Sequence, residues 1–499
     1  MFGTTNLPNV LPHGFDRHSI LLLLFGTGAV YIFARVIYNL FFHPLAKYPG
    51  PNIARITNMW LVRTYMSGQM HNIMEEQHQR YGDVVRVGPN QLVFFTAESF
   101  KDIHSHAVKG HKPFVKSNFY EIAGEIPGIV TARDPLDHRM QRKSLATAFS
   151  ARSLKAQEAI VQQYVNHFIK QIGKLGGPST QGLCMSEAFN WLTFDVISDL
   201  TFGEPLHAVA EGKTQPWIAA ILSSAYFSSL IGLKNQLPQL NILLPFILPK
   251  DISKNAELHW SLVREKTQKR VDYGTNLNRS DFFDHIIKTG EYTRGKMEAQ
   301  SNVLLSAGSE TTATFFTAAT YFLLKHPKCL GQLQEEIRSA FTNMEEITSE
   351  STARLPYLSA VVEETLRLYP PAAFMLPRIS PGAFVDGHFV PKGTTVIADM
   401  WSISRDPRYW TDGKSFRPER WIGPSFQDNK AAFNPFSNGP RACIGINLAY
   451  MEGRITLAKL LWTYDWENMS PEADLIRDSK MYFFWEKPNV VVRYHPRTT

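Results

Sequence analysis

The chain is poor in cysteine. Cys184, Cys329 and Cys443 are the only three in 499 residues. No two form a CxxC pair, so the sequence offers neither a disulfide framework nor a cysteine-rich zinc site. So few thiols suit a reducing compartment for most of the mass. Charge is sparse as well. Charged residues make up 19% of the chain, against 44% hydrophobic and 12% aromatic, a balance that excludes a disordered polyelectrolyte and suits a packed core. The net charge is +7, yet no long Lys or Arg run carries it, which argues against nucleic acid. A solvated surface accounts for the excess; a basic face for an acidic protein or an anionic membrane is the sharper reading. Internal repeats and long linkers are also missing, so one large domain is expected. Its nearest approach to a break is the loop-like "GKLGGPSTQG" from Gly173 to Gly182.

The N-terminus supplies a long apolar stretch. Ser19 to Ala34, "SILLLLFGTGAVYIFA", carries no charge, and after Arg35 the chain continues "VIYNLFF" to Phe42. Together the pieces are long enough to cross a bilayer core, which takes about 20 helical residues. Arg35 falls near one end, where its side chain reaches the headgroups. A cleaved signal peptide is the rival reading, but "NLFFHPLAKYPGP" offers no good small-residue cleavage site. Asp16 offsets Arg17 before the stretch, whereas Arg35, Lys47, Arg55 and Arg63 follow it. The positive-inside rule then places the C-terminal body in the cytosol. The expected organisation is a lumenal N-terminus over 1–18, a transmembrane anchor over 19–42, a Pro/Gly hinge over 43–52 stiffened by "YPGP", and one catalytic domain over 53–499.

Beyond the hinge the patterning is mostly helical. "HRMQRKSLATAFS" and "SEAFNWLTFDVISDLTFG" space apolar residues by three and four, the second ending at Gly203 as a C-terminal cap. A long helix is expected from about Lys296 to Leu324, stopping before Pro327. Strand-like pieces are short: "DVVRVGPNQLVFF", "FVDGHFVPKGTTVIAD" and "KPNVVVRYH". The expected class is mainly α with small β-sheets.

Cys443 lies in "NPFSNGPRACIG", Asn434 to Gly445. A lone cysteine is usually a small buried hydrophobe. Here Gly439 and Gly445 let the backbone turn tightly and approach something closely, Pro440 stiffens the loop, and Arg441 brings a positive charge. A backbone nest with a cation favours thiolate, and a thiolate on a rigid loop suits a metal. With no second cysteine or histidine at zinc spacing, one axial bond to a macrocycle is the better reading.

The stretch "FSNGPRACIG" resembles the F-x-x-G-x-R-x-C-x-G signature of the cytochrome P450 haem-thiolate proteins, with Phe436, Gly439, Arg441, Cys443 and Gly445 at its five fixed positions. The resemblance implies a P450 fold and haem b, with Cys443 as the axial iron ligand, Phe436 packed near the sulfur and Arg441 on a haem propionate. "ETLR" and "FRPERW" match further motifs. They imply a structural triad of Glu364, Arg367 and Arg420 that braces the cysteine loop. "AGSETT", Ala307 to Thr312, matches the oxygen-binding motif of the long helix. Its bland reading is helix packing on small residues. The functional one leaves room above the haem at Ala307 and Gly308, with Glu310 and Thr311 as an acid–alcohol pair relaying protons, and the helix opening locally. His138 and Arg142, four apart in "HRMQRK", and Arg378 in "MLPRIS" match propionate-binding positions.

The same resemblance implies a monooxygenase that inserts one atom of dioxygen into a lipophilic small molecule. The stretch after Cys443 is too short for a flavin domain, so electrons are expected from NADPH through a separate NADPH–cytochrome P450 reductase, docking on a basic face that includes Arg139 and Lys143. The protein is expected in the endoplasmic reticulum membrane, crossing it once. "YNLFFHPLAKYPGP" and its companions "VVRVGPN" and "LPRISPGAFVDGHFVPKGT" are similar to fungal microsomal members such as the trichothecene hydroxylases, which tailor terpenoids or polyketides. "AAFML" (Ala372 to Leu376), "MYFF" (Met481 to Phe484), Phe114, Phe119 and Tyr120 are candidate pocket residues. A haem-thiolate isomerase or dehydratase, and a non-catalytic haem-binding protein, are the alternatives. Glu310 beside Thr311 speaks against the first.

Overall fold

The computed structural model describes residues 17–107, 112–122, 124, 126–236, 250–274, 281–373, 376–423 and 428–497. Helices dominate. The Arg294–Lys325 helix starts where Thr293 accepts from the Lys296 N–H, and it ends before Pro327, which opens the next helix. It is buried along most of its length rather than on one face, which marks a central core helix. The Met185–Phe202 helix packs alongside it and stops at Gly203, whose φ of 79° is a left-handed cap. The Ala151–Leu175, Pro356–Leu368 and Ile446–Thr463 helices join the same apolar cluster. The irregular stretch expected from Gly173 begins later, because the Ala151–Leu175 helix runs through Gly173 and ends at Gly176.

Twelve short strands accompany the helices among the described residues: β1 (Val84–Gly88), β2 (Gln91–Phe94), β3 (Val115–Lys116), β4 (Leu183–Cys184), β5 (Arg378–Ile379), β6 (Ala383–Val385), β7 (His388–Val390), β8 (Thr395–Ala398), β9 (Tyr464–Asn468), β10 (Lys480–Met481), β11 (Trp485–Glu486) and β12 (Val491–Pro496). One sheet has the order β1-β2-β8-β5-β3 and another β4-β12-β9, while β6–β7 and β10–β11 are separate hairpins. In the first sheet β3 and β5 pair antiparallel with Lys116 opposite Arg378.

The Arg17–Ile37 helix continues through a π-helical turn at Tyr38–Phe42. Over His18–Arg35 no residue of its apolar span, His18–Phe42, is buried against the rest of the chain, whereas Asn39 in the π-helical turn is buried. The Pro/Gly link after it is packed rather than loose. Arg86 donates its backbone N–H to Pro49 O at 2.7 Å and its guanidinium to Asn39 O at 2.8 Å. A Cβ on Gly50 would stand 2.2 Å from Arg86 O, so only glycine allows this approach. A second apolar helix, Pro216–Asn235, is half buried inside the protein and behaves as a core element.

A buried ionic cluster gathers around Glu364. Glu364 accepts from Arg367 Nε and Nη2 at 2.8 Å each, from Arg420 Nε at 3.0 Å, from Trp421 Nε1 at 3.0 Å and from the Arg417 N–H at 2.9 Å. Arg420 also pairs with Asp428 at 2.6 Å, and Arg367 donates to the carbonyls of Ser404 and Gly413 at 2.6 Å each. Two carboxylates and two guanidinium groups therefore balance each other away from water. Arg420→Met is expected to lower stability by roughly 3–5 kcal/mol, the cost of stripping a partner from buried charges. The measurement is the denaturant midpoint, which should fall at an unchanged slope.

Candidate functional site

The cysteine loop owes its shape to two residues with positive φ, Ser437 at 58° and Gly439 at 68°. At Gly439 a Cβ would meet His104 O at 2.4 Å, so the position admits no side chain. The Cys443 N–H returns to Phe436 O at 2.8 Å and closes the loop. Phe436 packs its ring against Tyr450 at 5.2 Å. The Ile446–Thr463 helix begins directly behind Gly445, whose backbone N–H is aimed at the cysteine sulfur. Crowding does not explain Gly445, where a Cβ would meet only ordinary contacts at 3.8 and 3.9 Å.

Cys443 faces a cavity of about 310 Å³. Burial pushes its thiol up, and the cation that opposes this is Arg142. The expectation that Arg441 supplies this charge is corrected: its guanidinium turns to the carbonyls of Ala132 and Arg133. A metal bound at the sulfur would deprotonate it. Glu452, on the helix behind the loop, also lines the cavity, and burial pushes its carboxyl up to about 8.

The opposite wall is the Arg294–Lys325 helix, which remains α-helical through the expected opening. Leu304, Ala307, Gly308, Thr311 and Phe315 form the cavity-facing stripe, at the three-and-four spacing of one helix face. Thr311 donates to Ala307 O at 2.6 Å. Gly308 serves packing too, since a Cβ there would stand 2.4 Å from Ile197 Cδ1. Glu310 lies outside this stripe. It bonds to Thr314, one turn on, at 3.0 Å and to Lys487. The structure thus sets Thr311 on the cavity arc and Glu310 just outside it, bonded to Thr314 and Lys487 instead of to Thr311.

Positive charge collects at the cavity edge. His138 and Arg142 share a face of the Pro135–Ala146 helix, which Asp134 caps, and both line the cavity. Arg142 donates to Ala442 O at 2.6 Å. Arg378, 4% exposed, donates to Tyr120 Oη at 2.9 Å, and Lys116, 7% exposed, donates to Val130 O. Among the described residues no carboxylate is ion-paired with Lys116, Arg142, Arg378 or Arg441. The groups depress one another. Burial, then Arg378 and Arg441, holds the Lys116 ammonium well below the usual lysine range. Burial, then chiefly Arg441 and Lys116, takes His138 down to about 3, and burial with Arg378 takes Arg441 down to about 10. Like charges opposite each other on paired strands, as Lys116 and Arg378 are, destabilise a sheet unless an anion lies between them. A thiol at the cavity face, small residues across from it and a cluster of cations at the edge fit haem, a flat macrocycle bearing two carboxylates.

Lys116 was not legible as part of this cluster. It belongs to no motif, and only the β3–β5 register brings it to Arg378. The pocket expectations divide. Ala372 and Leu376 line the cavity, whereas Phe374 and Met375 lie outside the described residues. Phe114, Phe119, Tyr120 and the Met481–Phe484 turn are not among the described lining residues. Phe119 and Tyr120 are core, with Phe119 meeting Tyr65 at 5.9 Å and Tyr120 receiving Arg378.

Comparison with known proteins follows the same line. The family model described as Cytochrome P450 matches residues 48–493. The chain is 41% identical over 471 residues to the cytochrome P450 monooxygenase BOA3 of Botryotinia fuckeliana, covering 92% of each chain. It is 41% identical over 478 residues to the cytochrome P450 monooxygenase poxC of Penicillium oxalicum, covering 93% of this chain and 92% of the other. It is 35% identical over 495 residues to a trichothecene C-15 hydroxylase of Fusarium sporotrichioides, covering 96% and 98%.

Lys116→Met tests the cationic edge. Haem transfer to an excess of apomyoglobin is expected to speed up by roughly tenfold to hundredfold, from the ~1.5–3 kcal/mol of a hydrogen bond to a charged group. An unchanged transfer rate would show that Lys116 takes no part in holding the carboxylates.

Proposed function

The chain belongs to the cytochrome P450 family, and from that membership we propose that it tailors a lipophilic fungal secondary metabolite, a terpenoid or polyketide, by inserting one oxygen atom from O2. It is a P450 monooxygenase with haem b, supplied with electrons from NADPH through a reductase. Bound haem supplies dioxygen activation, and a thiolate ligand favours O–O cleavage. The observation that carries the proposal is Cys443 facing Ala307, Gly308 and Thr311 across one cavity. A relative named for hydroxylating trichothecene at C-15 supports the substrate class.

In this reading Cys443 ligates the iron. His138, Arg142, Arg378 and Arg441 hold the carboxylates of the haem, joined by Lys116. Phe436 and Gly445 shield and orient the sulfur, and Gly439 shapes the loop. Glu364, Arg367 and Arg420 brace the chain that leads into it. Thr311, whose hydroxyl is at the cavity wall, delivers protons to the oxygen, and Glu310 recharges it after turning from its present partners. Apolar walls from Val303, Leu304, Val362 and Leu366 select a lipophilic ligand and exclude water. The apolar span His18–Phe42, with no buried residue over His18–Arg35, supports an anchor over 19–42, with 1–18 lumenal, 43–52 linking and 53–499 catalytic on the cytosolic side of the endoplasmic reticulum.

Cys443→Ala is expected to abolish the thiolate-type spectrum of the reduced carbon monoxide complex; survival of that spectrum would sink the ligand assignment. Thr311→Ala should release severalfold more peroxide per NADPH consumed while keeping the spectrum. Unchanged coupling would remove the relay. Metabolite profiling after gene deletion should show a less oxygenated lipophilic compound accumulating, which microsomes with reductase then convert.

A further inference from the structure

The apolar N-terminal span ends in a knot of cations. Its helix closes in the π-helical Tyr38–Phe42 turn, and arginines from further along the chain cap the last carbonyls. Arg86 Nη1 donates to Asn39 O at 2.8 Å, while its Nε and Nη2 donate to Pro89 O at 3.1 and 2.6 Å. Arg55 Nη2 donates to Leu40 O at 3.0 Å and to Ala46 O at 3.2 Å. Arg86 is wholly buried, and the buried Arg55 Nε has no hydrogen-bond partner among the described residues. Arg35 is exposed one helical turn before Asn39, its guanidinium 5.8 Å from the centre of the Tyr38 ring. His43 follows the turn. Its Nδ1 accepts from the Leu45 N–H at 3.1 Å, so in the neutral ring Nε2 carries the proton and is the donor.

These groups feel one another. Burial, then Arg86 and Arg35, holds the His43 imidazolium below the usual histidine range, and burial with Arg55 takes Arg86 down to about 10. A helix C-terminus offers only about half a negative charge, too little for three guanidinium groups. Among the described residues the hydrogen-bond acceptors of Arg55 and Arg86 are all carbonyl oxygens, and no carboxylate is ion-paired with either or with Arg35. The surroundings say what completes the knot. Phe41 and Phe42 on the same turn are 68% and 72% exposed, as aromatic side chains are where a span leaves a bilayer. With the catalytic domain on the cytosolic side, the turn lies among headgroups of the leaflet that carries anionic lipid.

We propose that Arg35, His43 and Arg55, backed by Arg86, form a binding site for the phosphate of an anionic phospholipid in the cytosolic leaflet. This rests on the anchor reading above. The headgroup supplies the negative charge the knot lacks and an acceptor for Arg55 Nε. Arg55 belongs to the Asn52–Ile56 helix and Arg86 to β1. A lipid held there therefore ties the catalytic domain itself, and not only the anchor, to the membrane surface.

The test places the full-length holoenzyme in nanodiscs of phosphatidylcholine and phosphatidylserine and counts, by native mass spectrometry, the lipids it keeps on release into detergent. The wild type should keep one phosphatidylserine in preference to phosphatidylcholine. Arg35→Gln breaks no hydrogen bond to the rest of the chain, so folding is not at stake, and it should lower that preference roughly fivefold, the worth of one basic residue at an anionic surface. Arg55→Gln should lower it at least as far. Lys47 is exposed over the Tyr48 ring at 5.1 Å and stands outside the knot, so Lys47→Gln should leave the preference unchanged. Equal retention of the two lipids by the wild type overturns the site. An equal loss in Lys47→Gln and Arg35→Gln overturns it too, because it marks diffuse attraction to a charged surface. Alkaline carbonate extraction of microsomes separates this failure from that of the anchor. Release of the protein would overturn the anchor and the site with it, whereas a membrane-integral protein without lipid preference loses the site alone.

Discussion

The structure turns on a surplus of positive charge buried at the edge of one cavity. Lys116 and Arg378 face each other across two strands, and Arg441, Arg142 and His138 lie within electrostatic reach. Lys116, Arg441, Arg142 and Arg378 donate to neutral acceptors, the carbonyls of Val130, Ala132 and Ala442 and the Tyr120 hydroxyl. Carbonyl dipoles soften the cost of burying such charges but do not cancel their mutual repulsion. The same chain shows the alternative a short distance away. Around Glu364 two carboxylates meet two guanidinium groups, every charge finds its opposite, and nothing further is required. One cluster is complete and therefore structural. The other has no carboxylate ion-paired with it among the described residues, which fits it to hold an anionic group.

The opposite wall obeys a simpler constraint. A helix presents one arc to a cavity, and on this helix the arc runs through Ala307, Gly308, Thr311 and Thr312 and stops short of Glu310. With Ala307, Gly308 and Thr311 on the cavity side, Glu310 has to face elsewhere, and what it meets there is Lys487. Packing and chemistry are not rival explanations on this helix. Gly308 clears space for the cavity and lets Ile197 of the neighbouring helix approach, and a side chain there would disturb both.

What was legible in the sequence is what the chain encodes locally. The cysteine loop, the Glu364–Arg367 pair one helical turn apart, the Gly203 cap and the long helix all depend on residues close in sequence. What was not legible depends on pairing over long distances. Lys116 reaches Arg378 only through strand register, and Asp428 completes the Glu364 cluster from a segment with no motif of its own. Lys487 meets Glu310 from 177 residues further along the chain. Phe119 and Tyr120 were misplaced for another reason: an apolar side chain in a core and one in a cavity wall look alike until the fold decides. Arg441 failed as the cation beside the sulfur because proximity in sequence says nothing about where a long side chain turns.

These two walls also bear on selectivity. A cavity bounded by side chains such as Val303, Leu304, Val362 and Leu366 has few polar groups with which to reject a wrong ligand, and one methylene changes binding in such a pocket by only about 1–3 kcal/mol. Contacts alone then discriminate weakly among lipophilic molecules of similar size.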